Sequence, residues 1–199
     1  MAWPCCRFAQ FSIAERYDFR TPRITMAKAR KNNPRRDVPS QDHVARYCNP
    51  QRVKRDPKTR TIIGVFPQAF ELRPQMTPPE EYLSTYWMEA FSRELSDQYR
   101  GALAALKRKR GLAPLGVFAR LNVGAILTAG MQRSLPIRVR DRSSPSDPGY
   151  SGIYNMPLDN RDVEFLALLA EECCIDACIV REIEATQDLL SPYPLQSNS

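Results

Sequence analysis

The chain contains little of what catalytic and cofactor-binding sites are usually built from. Its 199 residues include a single histidine and only eight glycines. The phosphate-binding patterns G-x-x-x-x-G-K-[ST] and G-x-G-x-x-G, the nucleophile pattern G-x-S-x-G and the zinc-ligand spacing C-x-x-C do not occur. These absences argue against a nucleotide-binding loop, a hydrolase nucleophile elbow and a paired-cysteine zinc site. We therefore predict no cofactor and no metal.

Long apolar runs are also missing from the sequence. No stretch approaches the ~20 residues that a membrane-spanning helix needs. Near the N-terminus, Glu15, Arg16 and Asp18 interrupt the apolar character that a secretory signal requires. The six cysteines are adjacent, isolated or placed on one predicted helix, an arrangement that forms disulfides poorly, so we expect reduced thiols. These features predict a cytoplasmic protein without a membrane partner.

Positive charge is concentrated in the first 60 residues, which hold 15 Lys and Arg against five Asp and Glu. Residues 1–41 lack hydrophobic periodicity and are rich in Arg, Lys, Asn and Pro, so we predict a disordered basic arm. Such an arm binds phosphates by releasing counterions, and the alternative is a solubilising tail. The predicted nucleic-acid contacts are Lys28, Arg30, Lys31, Arg35, Arg36, Arg52, Lys54, Arg55, Lys58 and Arg60.

Residues 42–185 are predicted to form one folded domain, followed by a disordered tail at residues 186–199. Two interpretations of residues 1–25 stay open. Met26 begins a basic segment typical of a natural start, which would make the preceding residues a mis-assigned upstream extension. The alternative is a genuine disordered tail that begins at Met1.

Hydrophobic periodicity predicts the order strand, helix, strands, helix. We predict strands at residues 61–66, 116–127 and 135–140, a loop at 141–152, and helices from Thr77 to Leu106 and from Asp159 to Val180. The first helix has an N-terminal capping pattern, and both helices carry one apolar stripe. This order predicts an α+β fold: a single compact domain with a small, mainly antiparallel sheet and two long amphipathic helices.

Several reactive residue types surround the only histidine. A contact between His43 and Cys48 would activate the thiol as a nucleophile. A five-residue step along a helix turns the two side chains apart, so packing of Cys48 is the favoured interpretation. The candidate catalytic residues are His43, Arg46, Tyr47, Glu71 and Arg73.

A loop with two tyrosines and two glycines is the second candidate site. It includes Tyr150, Ser151 and Tyr154, and such residues can line a pocket or stack on a base or a peptide. The alternative is a turn whose tyrosines cover the edge of the core.

Three functions are compatible with these features. The first is a binding or accessory protein whose basic arm contacts nucleic acid or an acidic partner protein. The second is an enzyme of unknown reaction with a site around His43, Arg46, Tyr47, Glu71, Arg73 and the Tyr150/Tyr154 loop. The third is a subunit of a larger assembly, either a homo-oligomer or a complex with another protein, in which partner surfaces cover the apolar stripes of the helices.

Four short segments carry a resemblance to known sequences. Residues 42–48, 69–73 and 81–84, together with Trp87-Met88-Glu89, resemble a group of uncharacterised bacterial proteins. The resemblance implies a bacterial cytoplasmic setting and assigns a role to no residue.

Overall fold

The computed structural model describes residues 36–73, 77, 79–157 and 162–190, with side chains described as far as residue 186. All of these residues belong to one unit, residues 32–199. The basic arm before Arg36 and the tail after residue 190 lie outside the described residues. Their predicted disorder and the predicted domain limits of 42 and 185 stay predictions.

The described residues form eight strands and four α-helices. They are β1 (His43–Cys48), β2 (Val53–Arg55), β3 (Ile62–Val65), β4 (Tyr82–Trp87), α1 (Leu95–Lys107), β5 (Val117–Asn122), α2 (Val123–Gln132), β6 (Arg138–Asp141), β7 (Tyr150–Tyr154), α3 (Val163–Leu168), β8 (Cys174–Ile179) and α4 (Val180–Leu190). Short 3-10 turns at Pro50–Arg52, Pro67–Phe70 and Met88–Ala90, and a π-helical turn at Leu169–Cys173, connect them.

Six strands form one antiparallel sheet in the order β6-β7-β4-β1-β5-β8, and β2 and β3 form a separate hairpin. The chain before β1 runs along the outer edge of β6, where Val38 N donates to Val139 O over 2.9 Å. Asp141 N likewise donates to Arg36 O over 2.8 Å. The predicted α+β fold with an antiparallel sheet is thus confirmed.

Alternation along the strands gives the sheet two apolar faces. Face A includes Val44, Cys48 and Leu83, and packs against α2, α3 and the π-helical turn. Face B includes Ala45 and Phe118, and packs against α1 and α4. Both faces of the central strands are therefore buried, which explains their continuous apolar character.

The predicted helix from Thr77 to Leu106 is wrong in its first half, where the chain forms β4. Residues four apart lie on one face of a strand as well as of a helix, so the Leu83–Trp87 spacing fits both. The β4 residues are mostly aromatic or β-branched, which favours a strand. Only the segment Leu95–Lys107 keeps the predicted helical form.

The second predicted helix is also interrupted. After α3 and the π-helical turn, residues Cys174–Ile179 form edge strand β8, and a new helix begins at Val180. The starting residue Asp159 lies outside the described part of the chain. In the structure, Asp162 caps α3 and accepts a hydrogen bond from Phe165 N over 2.9 Å. Pairing with β5 explains why residues Cys174–Ile179 form a strand. This pairing joins segments that are distant in sequence, so local periodicity cannot predict it.

Two further boundaries differ from the sequence predictions. The strand predicted for residues 116–127 ends at Asn122, whose Oδ1 accepts from Ala125 N over 2.9 Å and so caps α2. The loop predicted for residues 141–152 ends early, because β7 begins at Tyr150 and pairs with both β4 and β6.

Candidate functional site

The central sheet opens into a fork between β1 and β4. These strands pair only at Val44–Trp87 and Ala45–Tyr86. Beyond those pairs β1 continues along β5, whereas β4 continues along β7, so the two strands separate. A cleft of about 320 Å³ lies where they diverge, and we refer to it as the fork cleft.

Arg46 of β1 reaches across the fork. Its Nη1 donates to Ser84 O of β4 over 2.8 Å, and its Nε contacts Ala69 O over 3.4 Å. A side-chain donor, rather than a β1 backbone amide, thus binds the β4 carbonyl. Burial lowers the pKa of Arg46, although an arginine remains fully charged at neutral pH. The fork therefore holds a fixed, partly buried positive charge.

The fork cleft is strongly basic. Its lining includes the cations Arg46, Arg52, Arg73, Lys109 and Arg110. Glu71 is the single carboxylate among the described residues of that lining, and it lies 3.8 Å from Arg52. Excess positive charge in a concave site attracts anions and raises their local concentration.

Two of these cations are already paired with carboxylates at the rim. Arg73 contacts Glu80, and Lys109 contacts Asp147. Among the described residues, by contrast, no carboxylate lies within 4.0 Å of Arg46 or Arg110. These two guanidiniums are thus the cleft groups whose charge remains available to a ligand.

Arg110 follows the last turn of α1 and lies over the ring of Tyr47, with 5.0 Å between the guanidinium carbon and the ring centroid. Tyr47 is fixed in turn, because its hydroxyl accepts a hydrogen bond from Ala113 N over 3.0 Å. Arg110 itself is exposed and lines the cleft, so its guanidinium is accessible to a ligand.

Neighbouring groups change the pKa of Glu80, the carboxyl group at the rim of the cleft. Burial alone raises its pKa, but hydrogen bonds from the side chain and the backbone amide of Arg73 outweigh burial and lower the pKa of Glu80 overall. Glu80 is therefore ionised at neutral pH and fixes Arg73 at the cleft entrance.

Tyrosines supply the neutral part of the site. Tyr150 lines the fork cleft, and its hydroxyl is hydrogen-bonded to Ser84 Oγ over 3.0 Å and to the Tyr82 hydroxyl over 3.1 Å. Burial, followed by the contact with Tyr150, raises the pKa of Tyr82 to about 12. The Tyr82 hydroxyl therefore stays protonated and adds no negative charge beside the cleft.

The structure brings together only part of the predicted catalytic set. Arg46, Tyr47, Glu71 and Arg73 line the fork cleft, together with Tyr150 of the predicted ligand loop. Sequence reasoning did not find Lys109 and Arg110, which belong to the basic run Lys107-Arg108-Lys109-Arg110 at the end of α1. Such a run also suits the negative end of a helix dipole and so does not by itself indicate a site. That basic run was the feature of the sequence that could have indicated a binding site. Its position beside β1, however, depends on packing between segments that are distant in sequence.

Ser151 and Tyr154 lie outside the cleft lining, and the residues predicted as a loop form strand β7. Ser151 is fully buried and is hydrogen-bonded to Thr85 Oγ1 over 2.8 Å, so it belongs to the interior. Tyr154 lies three residues further along β7, on the other face of the sheet, stacked on Tyr82.

His43 also lies outside the fork cleft. It precedes Val44, at the end of the fork where β1 and β4 are paired. Its backbone N and its Nδ1 contact the two carboxylate oxygens of Glu89 over 2.9 and 2.7 Å. Arg120 Nη2 lies 3.1 Å from the same Nδ1. This cluster ties β1 to the turn that follows β4.

His43 and Cys48 do not form a catalytic pair. They are five residues apart on strand β1, an odd step that places them on opposite faces of the sheet. Cys48 packs in the core on face A, and burial raises the pKa of its thiol to about 12. In the part of the chain that the structure describes, no three His, Cys, Asp or Glu side chains are grouped to hold a metal ion.

The described members of the predicted nucleic-acid contacts are scattered. Arg52 lines the fork cleft, Lys54 pairs with Glu171 over 3.4 Å, and Arg55 donates to Leu115 O over 2.9 Å. Lys58 and Arg60 are exposed at the tip of the β2–β3 hairpin. Arg36 lies over the ring of Trp87, and the residues from Lys28 to Arg35 lie outside the described part.

Comparison of the chain with protein-family models, with curated proteins and with solved structures gave no match. The resemblance to uncharacterised bacterial proteins therefore stays a prediction. None of the described helices combines the length and apolar content needed to cross a bilayer.

Proposed function

We propose that this domain is a binding protein that holds a phosphate-bearing anion in the fork cleft. The observation that carries the proposal is the charge of the lining, whose described residues include five basic side chains and one carboxylate. Arg46 and Arg110 are the cleft cations that have no carboxylate within 4.0 Å in the described part of the chain. Arginine presents a planar fork of donors that matches phosphate geometry, so these two residues are the expected direct contacts.

Nucleic acid is the phosphate-bearing ligand that also agrees with the basic arm. Residues 36–38 run along β6 of the sheet that carries the cleft, and the basic segment precedes them in the sequence. We propose that arm and cleft contribute additively to binding, the arm through non-specific phosphate contacts and the cleft through a fixed site.

A cytoplasmic setting is part of the same proposal. Cys48, Cys173 and Cys174 are free thiols in the structure. Burial raises the pKa of Cys173 to about 12 and that of Cys174 to about 11, so both are protonated and inert at neutral pH. Reduced structural cysteines of this kind are typical of a reducing compartment.

The test is calorimetric titration of the full chain with inorganic pyrophosphate at low and at moderate salt. Arg110→Gln should weaken binding about tenfold, because a charge-assisted hydrogen bond contributes ~1.5 kcal/mol or more. Arg108→Gln is the matched control, since Arg108 is an exposed arginine of the same basic run that does not line the cleft.

Equal weakening by the two variants would mean general electrostatic attraction and would refute a defined site. Binding of polyglutamate but not of pyrophosphate, with the same dependence on Arg110, would instead indicate an acidic partner protein.

A further inference from the structure

The half of face B formed by β6, β7 and β4 carries tyrosines and arginines rather than an apolar surface. Pairing places Tyr82 opposite Tyr154 and Tyr86 opposite Tyr150. Directly opposite residues of antiparallel strands project from the same face, so all four rings share face B. Helices α1 and α4 pack on the other half, around Phe118. On the half formed by β6, β7 and β4, Tyr82, Tyr150 and Tyr154 remain only half-buried.

The rings form an ordered ladder across the two strands. Tyr82 and Tyr154 are stacked, with centroids 4.9 Å apart and planes 27° apart. Tyr82 and Tyr150 meet edge to face, with centroids 6.3 Å apart. Gly152 makes room for the ladder, because a Cβ at that position would lie 2.5 Å from Cδ2 of Tyr82.

Cations lie on the faces of these rings. The Arg142 guanidinium lies 4.4 Å from the centroid of Tyr82, and that of Arg140 lies 5.5 Å from the centroid of Tyr154. Lys109 Nζ lies 4.0 Å from the centroid of Tyr150. A planar guanidinium on a tyrosine occupies the place that a planar nucleobase would take, and it can then turn to the adjoining phosphate.

The tyrosine ladder is continuous with the fork cleft. Tyr150 and Ser84 line the cleft, and the Tyr150 hydroxyl is hydrogen-bonded to Tyr82 of the ladder. Lys109 belongs to both, since it lines the cleft and lies over Tyr150. A phosphate held in the cleft would therefore place the adjoining sugar and base next to aromatic rings.

From this arrangement we infer that the ligand is a single-stranded nucleic acid, with phosphate in the fork cleft and bases stacked on the ladder of Tyr82, Tyr150 and Tyr154. The inference rests on the proposed function, because it uses the cleft as its phosphate site. Single strands fit because their bases are free to stack on side chains, which the bases of a duplex are not. The positive charge of Arg142 complements the phosphate backbone, whereas Arg140 is paired with Asp37 over 3.6 Å.

The test compares fluorescently labelled strands of about 12 nucleotides, a length within the range that a single-strand-binding domain of the OB fold covers. Oligo-U, oligo-dT and an abasic strand of equal length are titrated into the full chain, with pyrophosphate titrated separately. The abasic strand keeps the phosphates, so the affinity ratio between a normal and an abasic strand isolates stacking from the contribution of the basic arm.

The wild-type ratio should be about 10-fold or more, from stacking of one or two bases. Tyr82→Leu and Tyr154→Leu should each reduce that ratio about fivefold. Tyr154→Leu should also leave pyrophosphate affinity unchanged, because Tyr154 lies outside the cleft lining. Tyr82→Phe keeps the ring and should keep the ratio. Phe66→Leu is the matched control, because Phe66 is an exposed aromatic residue outside the ladder, on the segment after β3.

Equal wild-type affinity for normal and abasic strands, with pyrophosphate still bound, would overturn the inference and leave the proposed function standing. Failure to bind pyrophosphate would instead overturn the proposed function. A duplex of the same length is titrated in the same way, and tighter binding of the duplex than of either single strand would also refute stacking on the ladder. A higher affinity for oligo-U than for oligo-dT would support the inference and assign the ligand as RNA.

Discussion

Replacement of Arg46 by methionine is the most direct test of how the fork is held open. Arg46→Met keeps a long apolar side chain and removes the donors to Ser84 O and Ala69 O. Hydrogen bonds from a charged group contribute ~1.5–3 kcal/mol each. The 2.8 Å bond to Ser84 O should count fully and the 3.4 Å contact with Ala69 O only in part.

Two effects reduce this loss. Desolvation of the guanidinium, which also lowers the pKa of Arg46, opposes folding and disappears in the variant. The two carbonyls border an open cleft, so water can replace part of the lost bonding. The expected net cost is about 2 kcal/mol of the free energy of unfolding.

Urea denaturation followed by circular dichroism measures this cost. With a slope of ~2 kcal/mol/M, the midpoint should fall by about 1 M. Arg52→Met is the control, because Arg52 is an exposed arginine of the same cleft whose nearest carboxylate oxygen is 3.8 Å away. An unchanged or higher midpoint for Arg46→Met would refute the reasoning and show that strand packing alone fixes the fork.

Two further predictions concern buried and titrating groups. The buried hydroxyls of Thr85 and Ser151 satisfy each other, so Thr85→Val or Ser151→Ala alone should cost about 1–2 kcal/mol, and the double variant should cost clearly less than the sum. Additive costs in urea denaturation would contradict this pairing. The lowered pKa of Glu80 means that its stabilising contribution is complete above the unfolded value of ~4.3 and is lost as the pH falls through the folded value. The difference in urea midpoint between wild type and Glu80→Gln should therefore shrink from pH 7 to pH 3, and a difference that stays constant would exclude the contact with Arg73 as its source.

Local pattern was sufficient for some elements and insufficient for others. The β-branched run at residues 61–66 and the apolar stripe of α1 were recognised because their local preference and their packing agree. The stretch Tyr82–Trp87 was misassigned because a four-residue spacing satisfies two periodicities. The strand Cys174–Ile179 was missed because pairing with β5, far away in sequence, overrides the helical pattern.

The candidate site could be predicted only in part for a related reason. Arg46 and Tyr47 precede Cys48 in one short segment, and Arg73 follows within 30 residues, so composition could suggest that they belong together. The contribution of Lys109 and Arg110 depends on where the end of α1 lies relative to β1. The fork depends on how far β1 and β4 stay paired, and no pattern within either strand encodes the point at which they separate.

The narrow pairing at the fork has a mechanical consequence. The sheet consists of two three-stranded leaves, β6-β7-β4 and β1-β5-β8, and only two residue pairs join β4 to β1. Two side-chain contacts strengthen that joint. Trp87 Nε1 donates a hydrogen bond to Asp42, and His43 contacts Glu89. Any rotation of one leaf against the other would therefore be concentrated at the joint and would change the width of the fork cleft. A ligand that contacts both leaves would restrain this rotation. Its binding would therefore make the whole sheet more rigid.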